Sequence, residues 1–142
     1  MNSNTASYDE ITVVADVNNL DKVQGFIEER LEAAECPMKA RVQIGVAVEE
    51  IYVNICHYAY KDKGGSGDAT VKMKIEDRVA EIVFEDSGIQ YDPLANEEPD
   101  VTLSAEEREI GGLGIFITKK TMDDVKYEYK NGRNILTLLK KI

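Results

Sequence analysis

The sequence predicts a single α+β domain, a two-layer α/β sandwich in which a mixed, mainly antiparallel sheet carries helices on one face. Two periodicities and one count lead there. Apolar and polar residues alternate over 69–76 and 80–84, which is strand spacing, while apolar residues recur every three or four positions over 20–34 and 38–58, which is helical spacing. The resulting order is β-α-α-β-β-loop-α-β-β, with each late pair of strands joined by a tight turn. The 142 residues contain no internal repeat and no second compositional block. A chain of this length buries roughly 68–70% of its unfolded surface, so it needs neither a disulfide nor a structural metal.

Met1 to Asp9 is polar and reads as a flexible tail. Glu10 to Asp16, with Ile11, Val13 and Val14, reads as the first strand. Asn18 or Asn19 is placed to cap a helix carrying Leu20, Val23, Ile27, Leu31 and Ala34. Pro37 starts a second helix, from about Met38 to about Tyr58, because its missing N–H costs nothing in the first turn. Val42, Val46, Val48, Ile51 and Ile55 cover much of that helix, which predicts a central, buried one.

Lys61 to Asp68 is a glycine-rich loop. Ala69, Val71, Met73 and Ile75, then Ala80, Ile82 and Phe84, mark two strands joined at Glu76-Asp77-Arg78. Pro93 to Ile110 is acidic and poorly anchored, the kind of long connection that usually serves function. Ser104 with Glu107 would cap one short helix inside it. Leu113 to Met122 is a third helix, and Val125 to Tyr129 with Ile135 to Leu139 form a hairpin around Asn131-Gly132.

Bulk composition removes several classes. With 43% hydrophobic and 31% charged residues the chain is a soluble globular protein. A net charge of −10 argues against nucleic acid, which needs a basic face, and leaves room for a basic protein partner. No apolar run approaches the ~20 residues that span a bilayer, and the polar start lacks a signal pattern, so the expected location is cytoplasmic. Cys36 and Cys56 fall in separate helical segments, match no metal-ligand spacing and read as reduced thiols. No strand–glycine loop–Lys-Ser/Thr motif is present, which excludes a P-loop.

Three blocks carry the chemistry. Glu50 and Asn54 project from one helix face as neighbours. Either they are a helix edge reaching solvent with an asparagine hydrogen bond, or Asn54 binds Mg²⁺ through its amide oxygen while Glu50 orients or deprotonates a nucleophile near a γ-phosphate. Glu49 competes, but its four-residue neighbour is Val53, which favours Glu50. Asp86-Ser87-Gly88 ends a buried-looking strand. It is either turn chemistry or a carboxylate that accepts from an adenine amino group, with Gly88 letting backbone approach the ring. Gly111-Gly112-Leu113-Gly114 precedes a helix and offers backbone amides to an anion, or a hinge for the preceding loop, or both. His57, the only histidine, ends the second helix with Tyr58 and Tyr60, where packing or the helix dipole explains it better than a phosphoacceptor role. Lys61 and Arg108 would reach phosphates or simply stay solvated.

Together these blocks resemble the Bergerat-fold ATPases, the superfamily of gyrase, histidine kinases and mismatch-repair ATPases. Glu50 to Asn54 is similar to the asparagine box of that superfamily, Asp86 to Gly88 to its first glycine box and Gly112 to Gly114 to its second. The segment 93–111 falls where the ATP lid lies. Within the superfamily the sequence resembles the small anti-sigma-factor serine/threonine kinases, through Asp86-Ser87-Gly88 followed by Tyr91-Asp92-Pro93 and through the run Asn54 to Tyr60. The likeness runs from Ile11 onward.

The resemblance implies ATP and Mg²⁺ as cofactors, with Asp86 and Gly88 at the adenine and Thr137 assisting there. It implies Asn54 on the metal, Glu50 as general base, and Gly111, Gly112, Leu113 and Gly114 at the phosphates. It also implies a serine/threonine kinase acting on a STAS-domain anti-sigma-factor antagonist, a sigma factor as second partner, and pairing into a homodimer. Two positions depart from the pattern: Tyr58 stands where the branch commonly has histidine, and Arg108 lies four residues before Gly112, further than the lid arginine of some relatives. The alternative is a non-catalytic ATP-binding switch whose lid docks a protein partner.

Overall fold

The computed structural model describes residues 7–61, 64, 66–95 and 112–142. Among the described residues five strands and three α-helices are formed: β1 (Asp9–Val14), α1 (Leu20–Ala33), α2 (Met38–Asn54), β2 (Asp68–Glu76), β3 (Val79–Asp86), α3 (Gly112–Thr121), β4 (Asp124–Lys130) and β5 (Arg133–Lys141). The strands make one sheet in the order β1-β2-β3-β5-β4, and all of its neighbouring pairs are antiparallel. The expected mixture of directions is therefore absent from the pairings. β5 folds back from β4 and inserts between it and β3, so it opposes both neighbours.

One face of the sheet carries the core. Ala69, Val71 and Met73 of β2, Ala80, Ile82 and Phe84 of β3, and Leu136 and Leu138 of β5 are buried together with Val23, Ile27 and Leu31 of α1. α2 lies between α1 and α3 and packs on both. Its buried residues Ala40, Ile44, Ala47, Val48, Ile51 and Tyr52 repeat at helical spacing and define one stripe. The expectation of a helix buried around much of its circumference fails at Val42 and Val46, which are 57% and 45% exposed. Those two sit on the side turned away from the sheet, where no layer formed by the described residues covers them.

Other local expectations also shift. Tyr8 is no part of a loose tail: its hydroxyl donates to Glu81, and the Lys74 ammonium lies 4.7 Å from its ring centre. A 3₁₀ turn, Val17–Asn19, precedes α1, and its cap is Asp16, whose side chain accepts from the Asn18 N–H at 2.9 Å. Asn19 is at the N-cap of α1 but makes no capping bond, its amide donating instead to the Val14 carbonyl at 2.8 Å. Cys36 lies in the connection between α1 and α2 rather than in a helix, and both cysteines are free thiols.

Both hairpins use two-residue turns with left-handed backbone, at Asp77-Arg78 (φ 54° and 61°) and Asn131-Gly132 (φ 53° and 76°). Asn-Gly adopts this geometry readily. Asp77-Arg78 does not, and the Arg78 guanidinium holds the turn by donating to the Ala34 carbonyl at 2.8 Å.

The expected helix to Tyr58 does reach that far, but it changes winding. After Asn54 it continues as a π-helical turn, Ile55–Ala59. The wider turn alters which side chains face the sheet, a feature that occurs preferentially at functional positions.

Tyr52 fastens this layer to the sheet. It is fully buried, and its hydroxyl donates to the Asp16 carbonyl (2.7 Å) with the Val14 carbonyl close by (3.1 Å). Tyr52→Phe removes that donor without changing the ring and should lower stability by about 1–3 kcal/mol. Thermal unfolding should show a Tm lower by roughly 3–10 °C for a domain of this size, and an unchanged Tm would mean that the hydroxyl holds nothing.

Candidate functional site

A recess opens where the π turn, the end of β3 and the start of β5 meet. Its walls are largely apolar, with Ile51, Ile55, Phe84, Ile115 and Leu136 among them, and Tyr58, Tyr91 and Tyr127 add aromatic surface. Three polar side chains also line it: Asn54, Asp86 and Asn134. A concave apolar site with a few convergent polar groups is the usual form of a small-molecule site.

Asp86 lies on the inward face of β3, in step with Ile82 and Phe84, and is only 5% exposed. Its Oδ1 accepts from the Gly88 N–H (2.9 Å) and from the Asn134 side-chain amide (2.9 Å). Among the described residues Oδ2 receives neither bond. The turn reading of this acid is realised on Oδ1, and the residue also lines the recess.

Gly88 owes its identity to something other than a ring. A Cβ built there would lie 1.9 Å from the Ala59 carbonyl oxygen. That same oxygen accepts the Ile89 N–H at 2.8 Å, so the missing side chain lets the loop dock on the π turn. Tyr60 strengthens the junction, its hydroxyl accepting from the Ser87 N–H at 2.8 Å and donating to the Asp68 carbonyl at 2.5 Å.

Glu50 and Asn54 share one face of α2, as their spacing requires. Glu50 is half-buried and Glu49 exposed. A Cβ on Gly114 would fall 1.9 Å from Glu50 Oε2, so the first turn of α3 sits directly against this carboxylate. Burial raises the Glu50 pKa above the ordinary glutamate value, with a smaller push from the Glu49 charge. The carboxylate is correspondingly a stronger base. The Asn54 Nδ2 is buried and has no hydrogen-bond partner among the described residues. An orphaned amide lining a recess does not fit a helix edge satisfied by its own hydrogen bond. It fits a group waiting for a ligand.

Not every expected residue comes to this place. Thr137 pairs with Val83 and Lys126 and alternates with Asn134, Leu136 and Leu138, which are buried on the helix side. It therefore faces the opposite side of the sheet and does not line the recess. Asn134 takes the inward position at that end of β5, directly across from Asp86, and was not anticipated. The alternation of Asn134, Leu136 and Leu138 carried the signal: a polar residue in the inward register of a strand needs a buried partner.

Gly112 starts α3, while Gly111, Arg108 and most of segment 93–111 with Ser104 and Glu107 lie outside the described residues. His57 is exposed, its ring 6.2 Å from that of Tyr58. Lys61 carries its ammonium 6.0 Å from the Tyr58 ring centre. Among the described residues no three acidic, histidine or cysteine side chains cluster as a metal site, and no helix is long and apolar enough to cross a membrane.

Residues 13–140 match the histidine kinase-like ATPase domain family. The chain belongs to that family. The strands, α2 and α3 that build the recess all lie in or begin within the matched segment. Among relatives of this ATPase domain, a serine-protein kinase RsbW from Listeria monocytogenes is 33% identical over 95 residues, which cover 64% of this chain and 60% of that kinase. An anti-sigma F factor from Clostridium acetobutylicum is 25% identical over 139 residues, covering 98% of this chain and 86% of that protein. The chain thus spans about three fifths of the length of the RsbW kinase it matches.

Two solved structures share the fold. The RsbU and RsbW domains of Rv1364c from Mycobacterium tuberculosis superpose with a TM-score of 0.68 at 16% identity, over 96% of this chain and 32% of that one. The catalytic domain of histidine kinase ThkA gives a TM-score of 0.52 at 13% identity, over 96% and 97%.

The environment of Glu50 sets a pH signature in stability. Its folded-state pKa is raised, so its contribution is fully present below the unfolded value, about 4.3, and is lost as pH rises through the folded value. Glu50→Gln is never charged and should unfold at a higher temperature than the parent at pH 7, with the gap closing as pH falls to about 4. Paired melts from pH 4 to 8 measure this, and a variant less stable at pH 7 would contradict the assigned burial cost.

Proposed function

We propose that this protein binds MgATP in the recess and transfers the γ-phosphoryl group to a serine or threonine of a STAS-domain anti-sigma-factor antagonist, holding a sigma factor when free. The observation that carries the proposal is the pairing of a half-buried Glu50 of raised basicity, beside the start of α3, with an Asn54 one helical turn on, whose Nδ2 has no partner among the described residues. A purely structural helix edge would need neither. The relatives, a serine-protein kinase and an anti-sigma F factor, support the substrate class.

In this reading Asp86 accepts from the amino group of adenine through Oδ2, and the apolar walls cover the ring. The α3 N-terminus, with Gly112, Leu113 and Gly114, supplies N–H groups for phosphate oxygens, and Gly111 belongs to the same glycine run. Glu50 accepts the proton of the attacking hydroxyl. Asn54, turned to present its oxygen, would hold Mg²⁺ together with the phosphates, a donor set that suits an ion keeping most of its waters. The bound ion supplies neutralisation of charge on the β- and γ-phosphates. The same reading makes the protein cytoplasmic and paired as a homodimer.

Incubation with radiolabelled ATP and a STAS-domain partner tests the transfer step. Glu50→Gln should cut labelling by about 10²- to 10⁴-fold while ATP still binds. Full labelling by that variant would remove Glu50 from the chemistry, and no labelling by the parent would leave a nucleotide-dependent binding module. Asp86→Asn should weaken ATP by about 10- to 150-fold in calorimetry, the worth of one charge-assisted hydrogen bond of roughly 1.5–3 kcal/mol. Unchanged affinity would overturn the adenine assignment.

A further inference from the structure

The geometry points to Asn134 as the positioning residue that makes the recess select a 6-aminopurine over a 6-oxopurine, an inference that rests on the nucleotide reading above. Asn134 is 7% exposed and lies in register with Asp86. An asparagine side chain has two N–H donors and two acceptor lone pairs. Here all four are used within the protein. Nδ2 donates to Asp86 Oδ1 at 2.9 Å and to the Ile89 carbonyl at 2.8 Å. Oδ1 accepts from the Tyr127 hydroxyl at 2.5 Å and from the Tyr91 N–H at 3.1 Å. Two acceptors against the nitrogen and two donors against the oxygen permit only one orientation of the amide.

Selectivity follows from what this arrangement leaves over. Asp86 Oδ1 is held by two donors, Asn134 and the Gly88 N–H, which fixes the rotation of the carboxylate. Among the described residues nothing donates to Oδ2, which remains as an acceptor, and Asn134 has no N–H left to offer a ligand. The polar floor between β3 and β5 therefore accepts but does not donate. A 6-amino group finds its partner there. A 6-oxo group meets an oxygen with no proton between them, and a site built around one buried hydrogen bond rejects the analogue that cannot make it. Removing the amide frees the carboxylate to rotate and opens room for a water, which can donate to a 6-oxo group and erase the distinction.

Calorimetric titration of the full chain with ATP and with ITP reads this directly, alongside thermal unfolding. The parent should prefer ATP by at least about tenfold, the scale of one charge-assisted hydrogen bond. Asn134→Ala should shrink the ATP-to-ITP ratio by about tenfold, with ATP weakened and ITP held or improved. Tyr127→Phe removes a donor to Asn134 and should move the ratio the same way by a smaller factor. It carries the test if Asn134→Ala does not fold. Equal weakening of both nucleotides, or an unchanged ratio in the folded variants, overturns the role of Asn134 and leaves ATP binding standing. A parent that binds no ATP overturns the nucleotide reading itself, and this inference with it.

Discussion

Burial of one face of α2 against the sheet is the constraint from which the rest follows. Ile44, Ala47, Val48, Ile51 and Tyr52 give that helix a single allowed rotation, because any other would expose this stripe and bury Val42 and Val46 in its place. Burying a large aliphatic side chain contributes about 1.5–3 kcal/mol, so several such residues outweigh every local preference nearby. Once the rotation is set, Glu50 and Asn54 have no freedom. They lie at the edge of the buried stripe, where Asn54 lines the recess and Glu50 sits half-buried against the first turn of α3. The cost of that position shows in the raised Glu50 pKa and in the unpartnered Asn54 amide.

The end of α2 couples the helix layer to the loop that follows β3. The π turn brings the Ala59 carbonyl outward, where it accepts the Ile89 N–H and occupies the space a Gly88 side chain would need. On the other side, Asn134 and Tyr127 tie β5 and β4 to the same loop and to Asp86. Buried polar groups stabilise only when fully satisfied, and both polar atoms of Asn134 are satisfied in this network. A rigid acidic end of β3 therefore faces Asn54 of α2 across an apolar recess. Rigidity at the first and an open valence at the second suit a site that grips one part of a ligand and acts on another.

Much of this architecture was legible in the sequence because it depends on local repetition. The alternation over Ala69 to Ile75 and Ala80 to Phe84, the spacing of Val23, Ile27 and Leu31, and Asn131-Gly132 each reflect geometry within a few residues. Glu50, Asn54 and Asp86 were legible for the same reason, since spacing on one helix or position at one strand end places them. The failures are of another kind. Val42 and Val46 have the composition of core residues, and only the absence of a layer above α2 leaves them in solvent. Thr137 and Asn134 are three apart on one strand, and which of them faces the helices depends on the register of β5 against β3.

What the sequence by itself determined is the set of elements, the inward face of most of them, and the candidate polar groups of the site. These are encoded at a range of one to four residues, where backbone periodicity alone decides. Tertiary structure decided the partners: Asn134 for Asp86, Ala59 for Gly88 and Gly114 for Glu50. The members of those pairs are separated by 48, 29 and 64 positions, respectively. Contacts at such distances exist only after the sheet has closed and the helices have packed on it. The sequence therefore names the groups that can do the chemistry, and packing of the folded chain selects which of them meet.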